Sequence, residues 1–405
     1  MIFTNAQIIF PDRIQPQSQV RVANGKIVDI STQPLVSSKD DEVTDVSGQY
    51  LAPGFIDLHV HGALNRDTME ADAGAFRVIC GHHTAGGTTS LALTTLAAPA
   101  ERILRVLQAV QAFQNTPDGA QVLGVHLEGP YFSKEKPGAH RLDWIHNPVP
   151  TEYARLLEHS KTITQMTLAP ELPGSLELID ALRAHGIRAS GGHSNAWDEE
   201  ALSAFDHGMR QVTHTFNCMS SARRHGAYRV AGLLEFAISK AEILCELIAD
   251  DRHVSATLMQ MLYRAKGPDG ICLVTDATAG AGLPAGTAFK LGEIECVVHD
   301  GVAFTADGKA LAGSTAGMIQ CVRNMVKRVG VPLVEAVGMA TRNPARALGI
   351  ENQKGRLAAG MDADLVIISE NLEVLKTYKK GRLIFDAAEN SPHPQFRSNM
   401  AATAD

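Results

Sequence analysis

Two histidines one residue apart, His59-Val60-His61, can chelate one metal ion if they lie on a strand, where side chains two apart share a face. By itself the pair is a weak signal, because histidines at a strand end also serve loops as hydrogen-bond partners. Farther along, Glu128 in HLEGP, His193 in SGGHSNA, His214 in THTFN and Asp276 in LVTDATAG close four more apolar runs. Imidazole and carboxylate together suit Zn²⁺ or Fe²⁺, and one carboxylate with two imidazoles leaves a coordination position open, as catalysis requires. A cation held that way makes hydroxide from water near neutral pH. A single carboxylate at a strand end is ordinary capping chemistry. Metal-type ligands at five separate strand ends are not.

Something must bring those ends together. Eight short apolar runs recur between residues 55 and 280: FIDLHVHG, TTSLALTTL, VLGVHLEGP, TQMTLAPE, IRASGGHS, QVTHTFNCM, ILCELIADDRHV and ICLVTDATAG. Amphipathic stretches such as PAERILRVLQAVQAFQ, SLELIDALRAHG and WDEEALSAFDHG separate them. This alternation predicts an α/β fold of the (β/α)8 TIM type, in which reactive groups gather at the C-terminal strand ends. Glu171 and Asp250 close runs in the same way. The first fifty residues read as short strands with turns such as Asn24-Gly25, and ADLVIISENLEVLKTYKKGRLIF reads likewise near the other end. Both ends are therefore expected to build one small β-sandwich domain. The expected division is 1–51 (β-sandwich, first part), 52–349 (metal-dependent barrel), 350–388 (β-sandwich, second part) and 389–405 (a loose tail). Asp364 in GMDADLV reads as a turn residue of the β domain.

Composition narrows the function. The chain has 405 residues, 45% hydrophobic and 20% charged, with a formal net charge of −7. Such a balance excludes wholesale disorder and a general nucleic-acid binder, and an anionic substrate would need a few local cations. The six cysteines show no C-x-x-C spacing and lie in apolar runs, which fits free thiols in a reducing, cytoplasmic setting. The N-terminus has no basic segment before an apolar one, so no signal peptide is expected, and no run is a good membrane span. No P-loop, H-E-x-x-H or G-x-S-x-G is present.

The ordered set PGFIDLHVHG, HLEGPYF, TLAPE, GGHSNA, HTFNCM, LVTDATAGAG, LAGSTAGM, ATRNPARALG and KGRLAAGMDADLV resembles the amidohydrolase superfamily. More closely, it is similar to the N-acetylglucosamine-6-phosphate deacetylase family, over about residues 1 to 387. The resemblance implies that Glu128, His193 and His214 hold a common metal, and that His59 and His61 hold a second one in members that keep the H-x-H pair. It thus implies one or two divalent cations per chain, Zn or Fe, with Glu128 as a bridge where both bind. It implies Asp276 as general acid and base, and His140 as the group that polarises the amide carbonyl. Asn217 and Cys218 match contacts near the sugar and phosphate. His253 matches a substrate contact in a segment shared across a homodimer interface. The implied reaction releases acetate from N-acetylglucosamine 6-phosphate, a small-molecule partner, leaving glucosamine 6-phosphate.

The chain departs from the family after Asn217. Where a single Arg is followed by Glu-Pro-Gly in many members, it reads SSARRHGAYRVAGLLEF. Arg223 and Arg224 are candidates for the phosphate, since a guanidinium fork suits it. The departure leaves open N-acetylgalactosamine 6-phosphate, or another acetamido sugar, as the substrate. Two other readings have less support. Cyclic-amide hydrolases of the superfamily often use a carboxylated lysine at the end of the fourth strand, where this chain has TLAPE, and deaminases usually lack the HLEGP glutamate. A non-catalytic relative should have lost Asp276 or the metal ligands.

Overall fold

The computed structural model describes residues 1–37, 41–113, 119–389 and 391–392. Eight parallel strands form one sheet: β1 (Phe55–Val60), β2 (Thr88–Thr94), β3 (Gln121–Glu128), β4 (Ile163–Leu168), β5 (Arg188–Gly191), β6 (Gln211–Val212), β7 (Leu244–Ile248) and β8 (Ile271–Val274). Each of the eight apolar runs contributes one strand. The sheet order follows the chain order, and a parallel bridge between Val60 and Ala277 brings β8 back to β1, so the sheet curls into a barrel.

A helix follows every strand. These are α1 (Ala73–Thr84), α2 (Ala100–Phe113), α3 (Pro150–Leu157), α4 (Ser175–Ala184), α5 (Asp198–His207), α6 (Leu233–Ser239), α7 (Ala256–Lys266) and α8 (Met318–Asn324). Helical periodicity explains their docking: in α2 the buried residues Ile103, Leu104, Val106, Leu107, Val110 and Phe113 recur every three or four positions on one stripe. Strands covered by helices outside and packed inside are buried on both faces, which is why β2 is buried at every position. Among the described residues, no helix is long and apolar enough to cross a membrane.

The two chain ends meet in a nine-stranded sheet. Leu365–Ile368 pairs antiparallel with Tyr50–Pro53, which pairs in turn with Ile2–Ile9. Its own core contains Phe3, Ile8, Val20, Leu51, Leu365, Ile367 and Tyr378, with the Phe3 and Tyr378 rings edge-to-face at 5.0 Å. Most of the tail expected to be loose lies outside the described residues. Asp364 is not a turn residue. It is buried, receives the Lys380 backbone N–H and pairs with Lys354, because the strand that follows it carries it into the sheet's interior.

One element has no counterpart in the sequence reading. Between β8 and α8 the chain builds a four-stranded antiparallel sheet: Ala288–Leu291, Ile294–His299, Val302–Thr305 and Leu311–Ser314. The sequence carries the signal for it, with the Asp300-Gly301 turn inside alternating apolar residues. A parallel bridge between Ala277 and Ser314 ties this insert to the end of β8.

Lys354 is buried between Asp362, at 3.1 Å, and Asp364. Removing one partner of a buried charge group leaves the others unpaired. Lys354→Met should therefore destabilise the protein by about 3–5 kcal/mol, read as a lower midpoint in equilibrium urea unfolding.

Candidate metal centre and active site

The site stands at the C-terminal mouth of the barrel. His59 lies in β1 and His61 just beyond it, Glu128 ends β3, and His193, His214 and Asp276 each lie two residues past the ends of β5, β6 and β8. To turn these side chains inward the backbone adopts positive φ at His193 (47°), His214 (29°), Cys218 (47°) and Asp276 (50°). Such conformations are costly for non-glycine residues and persist only where the surroundings hold them. At Asp276 the hold is plain: its N–H donates to His59 O at 2.9 Å, and its carbonyl accepts from Ser314 N at 2.8 Å.

Glu128 is the hub. Its Oε1 lies 3.1 Å from His214 Nε2, 3.2 Å from His193 Nε2 and 3.5 Å from His59 Nε2. Its Oε2 lies 3.2 Å from His61 Nε2 and 3.4 Å from His140 Nε2. Asp276 Oδ1 adds contacts of 3.4 Å to His59 Nε2 and 3.3 Å to His61 Nε2. Within the pairs, the Nε2 atoms of His193 and His214 are 3.0 Å apart, and those of His59 and His61 are 3.2 Å apart. Two groups, His59–His61–Glu128 and Glu128–His140–His193, each bring their ligand atoms within 4.8 Å of one another, and Glu128 belongs to both.

Burial alone would raise the carboxyls and lower the imidazoles. Here mutual attraction overrides it. Despite its burial, the Glu128 carboxyl is held well below the usual range by His59, His140, His193 and His214. Asp276 is likewise held down by His59 and His61 against its burial. Burial opposes charge on His61, yet Asp276 and Glu128 lift it to about 9, and Cys218 and Glu128 lift His193 to about 10. Carboxylates and imidazoles packed this closely are groups that would meet one another through a divalent cation, which binds both in their deprotonated forms. The donor set of imidazole nitrogens and carboxylate oxygens fits such an ion.

His140 behaves differently. Burial pushes it down to about 4, so its ring is neutral. Its Nδ1 accepts the Ala97 backbone N–H at 3.2 Å, which leaves the ring proton on Nε2, the atom that faces Glu128. A neutral N–H donor therefore points at the centre of the cluster.

A cavity of about 230 Å³ opens onto these groups, lined by His61, Glu128, His140, His193, His214 and Asp276. Asn217, Cys218 and His253 also line it. His253 is steadied by Asp250, whose Oδ2 lies 2.7 Å from its Nδ1. The inserted sheet closes one wall with Leu291, Leu311 and Gly313. Arg223 and Arg224 do not line it. They lie on a hairpin, Arg223–His225 against Tyr228–Val230, where the Arg223 guanidinium sits 3.6 Å over the Trp197 ring and donates to Asn195 O at 2.6 Å. Glu171 supports the rim, accepting from Ser194 Oγ and the Asn195 N–H.

Three buried groups behind the ligands escaped the sequence reading. Asp57 takes the Thr275 hydroxyl at 2.6 Å. The His126 ring lies edge-on to His59 with centroids 4.5 Å apart. Glu246 lies 3.3 Å from His59 Nδ1. Glu246 had a usable signal: a charged residue inside the apolar strand LCELI, where charge is rare unless paired.

The chain is similar to known proteins over most of its length. The model of the Amidohydrolase family matches residues 50–384. The chain is 35% identical over 340 residues to the N-acetylglucosamine-6-phosphate deacetylase of Vibrio furnissii, covering 84% of each. It is also 35% identical to the N-acetylgalactosamine-6-phosphate deacetylase of Escherichia coli O157:H7, covering 90% of this chain and 94% of that one. The crystal structure of N-acetylglucosamine-6-phosphate deacetylase from Pasteurella multocida superposes with a TM-score of 0.88 at 30% identity, over 94% of this chain and 98% of that one.

Because Glu128 is shared by both ligand groups, Glu128→Ala should abolish stoichiometric divalent-metal binding by the purified protein. Elemental analysis checks this; wild-type metal content in the variant would remove Glu128 from the centre.

Proposed function

The chain belongs to the amidohydrolase family, and from that premise we propose that it is an enzyme that removes acetate from N-acetylglucosamine 6-phosphate. One observation carries the reading: a neutral N–H donor, His140, and an ionised carboxylate, Asp276, face the same Glu128-centred donor set on the wall of one small cavity. Relatives that match 84% and 94% of the chain support the substrate class.

In this reading Glu128, His193 and His214 would hold a divalent cation, Zn or Fe, and His59 and His61 with Glu128 would hold a second where two bind. The chemistry supplied by such a cation is activation of water and polarisation of the amide. The side chains do the rest. Nε2–H of His140 donates to the acetamide oxygen as charge builds there, in a buried site where the interaction is stronger than in water. Asp276 takes a proton from the attacking water. It then passes that proton to the sugar nitrogen as the C–N bond breaks, so that one carboxylate acts first as base and then as acid. Acetate and the amino sugar 6-phosphate leave.

Asn217, Cys218 and His253 are assigned to the sugar and its phosphate. Arg223 has a buried Nη1 with no hydrogen-bond partner among the described residues, a donor for a phosphate oxygen; Arg224 is beside it on the hairpin. Among the described residues, no lysine or arginine lines the cavity of a single chain. This deficit supports a homodimer in which a second copy, with its hairpin, completes the phosphate end. All six cysteines are free, which supports a reducing, cytoplasmic location. The galactosamine relative and the altered hairpin support a second reading, deacetylation of N-acetylgalactosamine 6-phosphate.

Acetate release should be fastest with N-acetylglucosamine 6-phosphate. A faster rate with the galacto epimer would select the second reading, and no release from any acetamido sugar would reject both. Asp276→Asn should lower kcat by about 10²–10⁴-fold. Arg223→Ala should raise KM for the 6-phosphate far more than for free N-acetylglucosamine, and equal changes would show that Arg223 does not meet the phosphate.

A further inference from the structure

Glu246 does not line the cavity, yet its position on β7 connects the barrel interior to the H-x-H pair. It is wholly buried. Its two oxygens have separate tasks. Oε1 is clamped by two side-chain amides, accepting from Gln165 Nε2 at 2.8 Å and Gln211 Nε2 at 2.6 Å. That clamp leaves Oε2 aimed at the metal cluster, 3.3 Å from His59 Nδ1 and 3.4 Å from the His214 backbone N–H, which it accepts. Gln211 Nε2 also donates to Gln165 Oε1 at 2.9 Å, so the clamp is itself cross-braced.

The consequence is chemical. An imidazole binds a metal through one nitrogen only if its proton sits on the other, and the group facing that other nitrogen sets which form is present. As a carboxylate, Glu246 accepts at Oε2, so it draws the His59 proton to Nδ1 and leaves an Nε2 lone pair directed at His61, Glu128 and Asp276. The remaining ligands are held unequally. His193 Nδ1 has the Lys136 carbonyl at 2.9 Å, whereas the buried Nδ1 atoms of His61 and His214 have no hydrogen-bond partner among the described residues. Each half of the cluster therefore has one imidazole with an acceptor behind it: His193 in the half with His214, and His59 in the half with His61.

We propose that Glu246 is the positioning residue for the second metal, fixing the His59 tautomer so that the His59–His61 half of the centre binds its own divalent cation. The inference rests on the reading of this cluster as a divalent-metal centre. Glu246 acts through His59 and touches neither substrate nor metal.

The test compares metal equivalents. Wild-type protein should hold two, and Glu246→Gln should hold one, with the weaker equivalent's affinity reduced about tenfold to a hundredfold in equilibrium dialysis against Zn²⁺. The substitution is isosteric: its amide oxygen can still accept from Gln165 and Gln211, while its NH₂ faces Nδ1, drives the His59 proton onto Nε2 and no longer accepts the long His214 N–H bond, so the His59→Asn background separates the two effects. Gln165→Met removes one clamp from Oε1 but leaves Oε2 in place, and should keep both equivalents. In a His59→Asn background, Glu246→Gln should change metal content no further, as required if it acts through His59. The proposal is overturned if wild type holds a single equivalent, if Glu246→Gln keeps both at wild-type affinity, or if both are lost in parallel. Acetate release, measured alongside, separates the two ideas: two metals without deacetylation would reject the functional reading and leave this one standing.

Discussion

A single buried carboxylate surrounded by imidazoles organises this molecule. Glu128 has five histidine nitrogens within 3.5 Å, contributed by three other strand ends and one loop. Placing that much polar and charged surface inside a protein is unfavourable unless every group is met by a partner. Here the partners come from four segments distant along the chain, so the arrangement exists only when the whole barrel is closed. The left-handed backbone at His193, His214 and Asp276 is part of the same constraint, since each of those residues must turn inward immediately past its strand.

Beneath the cluster the barrel interior is polar as well. His126 Nε2 lies 2.7 Å from Thr167 Oγ1, which lies 2.7 Å from Thr213 Oγ1, itself 2.6 Å from Ser190 Oγ. With Gln165, Gln211 and Glu246 these residues form a layer that is almost fully hydrogen-bonded. Fully satisfied networks of this kind stiffen what lies above them, whereas partly satisfied ones would weaken the fold. The layer orients the ligands from below, while the inserted sheet and the loop carrying His140 enclose them from above.

The two accessory sheets divide the remaining work. The sheet made from the chain ends has its own core and a buried Lys354–Asp362–Asp364 group, and it ties residues more than three hundred positions apart. The sheet inserted after β8 adds apolar wall to the cavity and, through Ser314, grips the backbone of Asp276. Substrate shape and catalytic geometry are thereby linked, because one loop excursion serves both.

Much of this was legible in the linear chain. Alternating apolar runs and amphipathic stretches identify eight strands and their helices, because burial on two faces requires continuous hydrophobicity and burial on one requires a stripe. Ligand-type residues at the ends of those runs identify Glu128, His59, His61, His193, His214 and Asp276, since such residues have no packing reason to recur there. Tertiary structure alone decided the rest. It decided that Glu128 serves both halves of the cluster, that His140 presents Nε2–H, that Arg223 stacks on Trp197 away from the cavity wall, and that Glu246 stands behind His59. Side-chain type and spacing along a strand are local properties that a sequence records. Which nitrogen faces which oxygen depends on contacts around the cluster between segments as much as 218 positions apart, and those distances come into being only when the barrel closes.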